Sequence, residues 1–127
     1  MKASLWTLAV IALLLGLLAG GSAWMTRTAS DTLYQAALEI ENSVLQENWS
    51  AAARQRDAFE NQWSQAKLNL QMLVHHQDTD DVNLALGRLR AGILLEDAGI
   101  SLEALAELKE SCLHLYHRDA LRLVNLI

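Results

Sequence analysis

The feature that most constrains this chain is a long stretch without charge at its start. Between Lys2 and Arg27 lie twenty-four uncharged residues, and Leu5 to Leu18 is almost unbroken Leu, Ala, Val and Ile. At about 1.5 Å of rise per residue, a helix through residues 4–25 can cross a hydrocarbon core of about 30 Å. Trp6 and Trp24 fall near the two ends of that run, where amphipathic indoles favour the headgroup layer. The expected organisation is a short cytoplasmic N-terminus at residues 1–3, a transmembrane anchor at residues 4–25 and a helical domain at residues 30–127.

The competing reading of the apolar run is a cleaved signal peptide. Gly21-Ser22-Ala23 places small residues at the −3 and −1 positions of a cut before Trp24, as such sites require. Against this, the apolar run is at the long end for a signal sequence and only Lys2 precedes it, so a retained anchor is expected. No cysteine follows the run, which excludes a lipoprotein. Lys2 and the terminal amine outweigh Arg27 alone, so the positive-inside bias puts the N-terminus in the cytoplasm and the bulk of the chain outside it. Ala12, Gly16 and Gly20 form a small-xxx-small ladder on which two anchors could pack as a homodimer; the competing view is that this face meets only lipid.

After Arg27 there are 8 basic and 15 acidic residues, a balance of 8 − 15 = −7. Nucleic acid and anionic headgroups both select a basic face, so nucleic acid is not an expected partner. The single Cys112 excludes an internal disulfide. Proline is absent, and Ala, Leu, Glu and Gln favour helix throughout. Apolar positions at helical spacing predict helices near residues 31–46, 49–75, 79–96 and 101–122. Leu33, Ala37, Ile40 and Val44 line the first, with Tyr34, Leu38 and Leu45 widening the stripe.

Trp49, Ala52, Arg56, Phe59, Trp63, Ala66, Leu70 and Leu73 form a seam along the second. Val82, Leu86, Leu89 and Ile93 face inward in the third, and Leu102, Leu105, Leu108, Cys112 and Leu115 in the fourth. Asn48 is the expected cap of the second helix, and Gly99 the expected left-handed cap between the third and fourth. The apolar tail Leu121–Ile127 must pack or touch membrane. Both turns lead into similar helix starts, Trp49-Ser-Ala-Ala-Ala and Ile100-Ser-Leu-Glu-Ala. The expected fold is an all-α antiparallel up-down four-helix bundle of two helical hairpins.

Taken in order, these segments resemble a known pattern. An N-terminal anchor precedes an Asn48-Trp49-Ser-Ala-Ala turn; Trp63 lies mid-helix, and His76-Gln-Asp precedes Leu86-Gly-Arg-Leu89. Ala104-Leu-Ala-Glu107-Leu and a terminal Leu121-Arg-Leu-Val-Asn125-Leu-Ile127 follow. Over nearly its whole length the chain resembles the bacterial family called domain of unknown function 4363, although it is less lysine-rich. The resemblance implies a small membrane-anchored helical protein with no assigned activity, and a membrane protein as partner.

Four histidines are the only cluster with chemical potential. In an up-down bundle His75 and His76 end the second helix and His114 and His117 lie late in the fourth, so all four converge on the membrane-proximal end near Asp78, Asp80 and Asp81. Zinc takes imidazole nitrogens and carboxylate oxygens. The competing reading is a set of dipole-stabilised helix ends, and no cofactor or metal is expected. No nucleophile elbow, HExxH or phosphate loop occurs, and Ser101, Ser111 and Cys112 lack a base at a recognisable spacing, so no enzyme is expected. A sensor bundle would sit between two spans with an internal output module, for which three residues before the span leave no room.

The expectation is therefore a non-catalytic accessory subunit of another integral membrane protein. Its core includes Trp49, Phe59, Trp63, Leu86, Leu89, Leu105 and Leu108. Trp63→Ala should lower stability by about 3–5 kcal/mol. Chemical denaturation measures this, and an unchanged midpoint would place Trp63 on the surface as a ligand platform.

Overall fold

The computed structural model describes the backbone of residues 2–70 and 76–126, and the side chains of residues 4–21, 24, 29–68 and 79–115. Its described residues are all-helical: α1 is Lys2–Leu45, α2 Trp49–Leu70, α3 His76–Leu94 and α4 Ala98–Leu126. The N-terminal apolar run and the first domain helix are one element. Nothing between Trp24 and Ser30 breaks a helix, since that stretch holds neither proline nor glycine. At 44 residues, α1 is about 66 Å long.

Along α1 the side chains change character. Ser4–Gly21 is long and apolar enough to cross a membrane and none of it is buried. From Ser30 onward one face is buried, through Leu33, Ala37, Ile40 and Val44, while Asp31, Gln35 and Glu39 are exposed. That one-sided face meets α2 and α4, and α3 in turn packs against α2 and α4. Each large side chain buried there contributes about 1.5–3 kcal/mol.

Each neighbouring pair of helices carries a polar tie as well. Ser43 Oγ donates to Gln55 Oε1 at 2.6 Å between α1 and α2. Trp63 Nε1 donates to Asn83 Oδ1 at 3.0 Å between α2 and α3, where Glu60 also pairs with Arg90. Arg88 Nη1 meets Glu107 Oε1 at 2.7 Å between α3 and α4. Between α4 and α1, Ser30 Oγ donates to the Cys112 carbonyl at 2.6 Å, and Lys109 pairs with Glu41. In the pairs α1–α4 and α2–α3 the numbering rises on one helix as it falls on the other, so those helices are antiparallel.

The two turns share one geometry. In the first, Asn48 N donates to Ser43 O at 2.8 Å and Glu47 N to Val44 O at 3.0 Å; in the second, Asp97 N donates to Gly92 O at 2.9 Å and Glu96 N to Ile93 O at 3.1 Å. These are the paired six-to-one and five-to-two bonds of a Schellman ending. Residue six of each motif then serves twice, because Asn48 Oδ1 accepts from Ala51 N at 3.2 Å and Asp97 Oδ1 from Ile100 N at 3.0 Å. One residue thus closes a helix with its backbone N–H and caps the next with its side chain.

Several expectations need correction. Gly99 is not the left-handed cap: no described glycine has a positive φ, and Glu47 (φ 56°) and Glu96 (φ 52°) hold those positions. With Asp97 as cap, α4 begins at Ala98 and not near Ser101, whose side chain is buried. The turn equivalences therefore pair Trp49 with Ala98, and not with Ile100. Leu45 is 60% exposed, because it follows the last buried turn of α1 instead of widening its stripe.

Leu102 is half-buried; α3 begins at His76, and α2 is described to Leu70, so the expected end at residue 75 lies outside the described residues. The side chains of Leu70, Leu73 and the tail Leu121–Ile127 also lie outside them. The other inward positions of α3 and α4 are buried.

Gly92 matters for closeness and not for φ. A Cβ there would come within 2.5 Å of Ser101 Oγ and 2.8 Å of Ser101 N, so α3 and α4 meet more tightly than the first hairpin, where Ser43 stands at the equivalent place. The left-handed glutamates, by contrast, carry avoidable strain. Glu47→Gly and Glu96→Gly should each raise stability by about 0.5–1 kcal/mol in chemical denaturation.

Candidate functional site

The residues singled out for chemistry do not assemble into one centre. His114, on α4, has a 52% exposed side chain, and its Nε2 lies 4.0 Å from Glu110 Oε1 one turn earlier. It borders a groove of about 360 Å³ between α3 and α4, with Asp81, Arg88, Glu107 and Glu110 around it. Arg88 is already engaged by Glu107. Among the described residues no three His, Cys, Asp or Glu side chains are grouped to hold a metal ion. The side chains of His75, His76, His117 and Asp78 lie outside the described residues, and Asp80 and Asp81 are exposed.

Cys112 points inward and is fully buried. Burial pushes its thiol up to about 12 from 9.0, because a thiolate would be stripped of water. The thiolate is the nucleophilic form, so this sulfur is inert at neutral pH. Ser101 Oγ and Arg56 Nε are buried without a hydrogen-bond partner in the described part of the chain. Arg56 nonetheless lays its stem along the seam, 17% exposed, with its guanidinium 2.8 Å from Asp57. Trp63 is a core residue whose indole N–H is satisfied by Asn83, and Trp49 is half-buried against the same core.

Several large apolar side chains are exposed as well. On the apolar segment of α1, Gly16 and Gly20 have open space where a Cβ would stand, and Ala12 is exposed. At the opposite end Leu45, Leu94 (80% exposed), Leu95 and Ile100 surround the two turns. Next to them, Leu84, Gly87 and Ala91 are exposed along the outer side of α3. Helical spacing alone did not single out this surface. The only signal was the Leu94-Leu95 pair immediately before a turn, where polar residues are usual.

These features define an all-helical protein with one N-terminal apolar helix. Across residues 24–126 it matches the family model described as Domain of unknown function (DUF4363), and the chain belongs to that family. No curated protein and no solved structure matches it.

The raised Cys112 pKa has a sign that can be tested. A folded-state value above the unfolded one leaves stability whole below pH 9.0, and stability then falls as pH rises towards about 12, since the unfolded chain ionises first. Over that window the loss should be about 1.4 kcal/mol per pH unit. Denaturation midpoints of the unsubstituted protein and of Cys112→Val should diverge in slope there, and parallel profiles would contradict the assignment.

Proposed function

We propose that the protein is a single-pass, non-catalytic accessory subunit of the cell envelope, with the bulk of the chain outside the cytoplasm. On this reading α1 anchors an antiparallel up-down four-helix bundle that binds another integral membrane protein through helix surfaces. The observation that carries it is the continuity of α1, which runs from an apolar segment with no buried residue into a packed core without a break. The closed cycle of helix contacts and the two matching turns support the bundle.

The apolar end around Leu45, Leu94, Leu95 and Ile100 supports an interaction role, because exposed apolar clusters mark partner sites. The inert Cys112 and the pairing of Arg88 with Glu107 support a role without bond chemistry.

Affinity capture of the tagged full-length protein from its native membrane, in mild detergent, tests this reading. A stoichiometric integral membrane partner should co-elute, and should be lost from Leu94→Glu/Leu95→Glu protein that remains in the membrane fraction. Elution of the protein alone would overturn the accessory role, and an intact mass lacking residues 1–23 would overturn the anchor.

A further inference from the structure

We propose that the terminal turns of α4 form a second membrane contact, seated in the headgroup layer beside α1 with lipid as their occupant. The inference rests on the reading of α1 as a membrane span. Its starting point is register. Ser30 has a short side chain, so its bond to the Cys112 carbonyl fixes the level of α4 against α1 more tightly than the long-armed Glu41–Lys109 pair does. The helices are antiparallel, and α4 continues to Leu126.

Fourteen residues separate Cys112 from Leu126 (126 − 112), which is about 21 Å of helix. The same count back from Ser30 reaches Gly16 (30 − 14), inside the Ser4–Gly21 segment. The backbone of α4 therefore passes the level of Trp24 and ends beside the outer turns of the span.

A separate observation agrees. Ala9 and Ala12 are exposed, as expected for alanine on a bare helix, but Ala19 is half-buried. Ala19 falls on the same side of α1 as Ser30, eleven residues or about three turns away. In the described structure α1 packs only against α2 and α4. Tied to Ser43 beside the first turn, α2 starts at the far end of α1, and its described 22 residues from Trp49 do not reach that level. The helix whose backbone runs on past that level on this side of α1 is α4.

The sequence of this end suits lipid. Leu121, Leu123, Val124 and Leu126 are apolar, and Arg118 and Arg122 supply two of the eight basic residues after Arg27 in a chain that is otherwise acidic. Mixed basic and apolar helices of this kind settle about 5–10 Å into the headgroup and acyl boundary. Going deeper is opposed by the last four carbonyls of α4, which have no helical partner and must stay near water. The depth set by register, about 8 Å past Gly21, is consistent with both limits.

The test uses full-length protein in nanodiscs of palmitoyl-oleoyl-phosphatidylcholine. A polarity-sensitive fluorophore is attached at Leu123→Cys, at Leu18→Cys in the outer turns of the apolar segment, or at Leu95→Cys at the far turn, and the unsubstituted protein serves as the blank for Cys112. Lipids carrying a nitroxide near the headgroup and an aqueous quencher are then titrated separately. Leu123→Cys should lose most of its fluorescence to the lipid-borne nitroxide and little to the aqueous quencher, while Leu95→Cys should show the reverse. Water access at Leu123→Cys would overturn the proposal, and so would shielding from both quenchers, which would mean a protein covers the tail. If Leu18→Cys itself escapes the lipid-borne nitroxide, the anchor reading fails; if only Leu123→Cys does, the second contact alone fails.

Discussion

The packing of this protein depends on one face of α1. Over its first half that helix is exposed and apolar on every side, which suits hydrocarbon. From Ser30 to Val44 it buries a single stripe, and α2 and α4 are held by that stripe while α3 touches only those two. Removing α1 would open the core along its whole length, because no other helix contacts both partners on that side. The change from all-round to one-sided apolarity happens without a break in the backbone, so helix formation and domain packing are coupled through one rod.

The polar ties show how such a core stays unique. Apolar stripes alone tolerate axial slip, since one leucine fits nearly as well as the next. Hydrogen bonds at Ser30, Ser43 and Trp63 fix each pair at one register, because a slip of one turn would strand a buried donor. The surface pairs Arg88–Glu107 and Glu60–Arg90 are more exposed and contribute less. The turns add a further constraint: with Asn48 and Asp97 each ending one helix and starting the next, neither hairpin can lengthen its loop without losing two interactions together.

Much of this was legible in the residues. Leu33, Ala37, Ile40 and Val44, and Val82, Leu86, Leu89 and Ile93, recur at helical spacing, and burial follows that spacing directly. Asn48 could be recognised as a cap because its side chain is suited to nothing else before Trp49. The second turn was misplaced because glycine is the commonest left-handed residue, yet here the Asp97 cap decides the position and leaves Glu96 with the positive φ. Leu45 was not recognisable as surface, since hydropathy does not distinguish the last buried turn of a helix from the first free one, whereas the Leu94-Leu95 pair before a turn was the one signal. As for the candidate chemistry, the inward position of Cys112 followed from spacing, whereas the meeting of four histidines depended on segments around residues 75 and 117 whose side chains the structure does not describe.

The unbroken α1 also has a mechanical consequence. From Trp24 to Leu45 it extends about 32 Å with neither proline nor glycine between them. Membrane helices tilt by about 20° on average, so an anchor changing its tilt by that amount would swing the far leucines sideways by about 11 Å. On the proposed reading of α1 as an anchor, bilayer thickness, or the packing of its apolar segment against a neighbour, would thus be read out at the opposite end as lever motion.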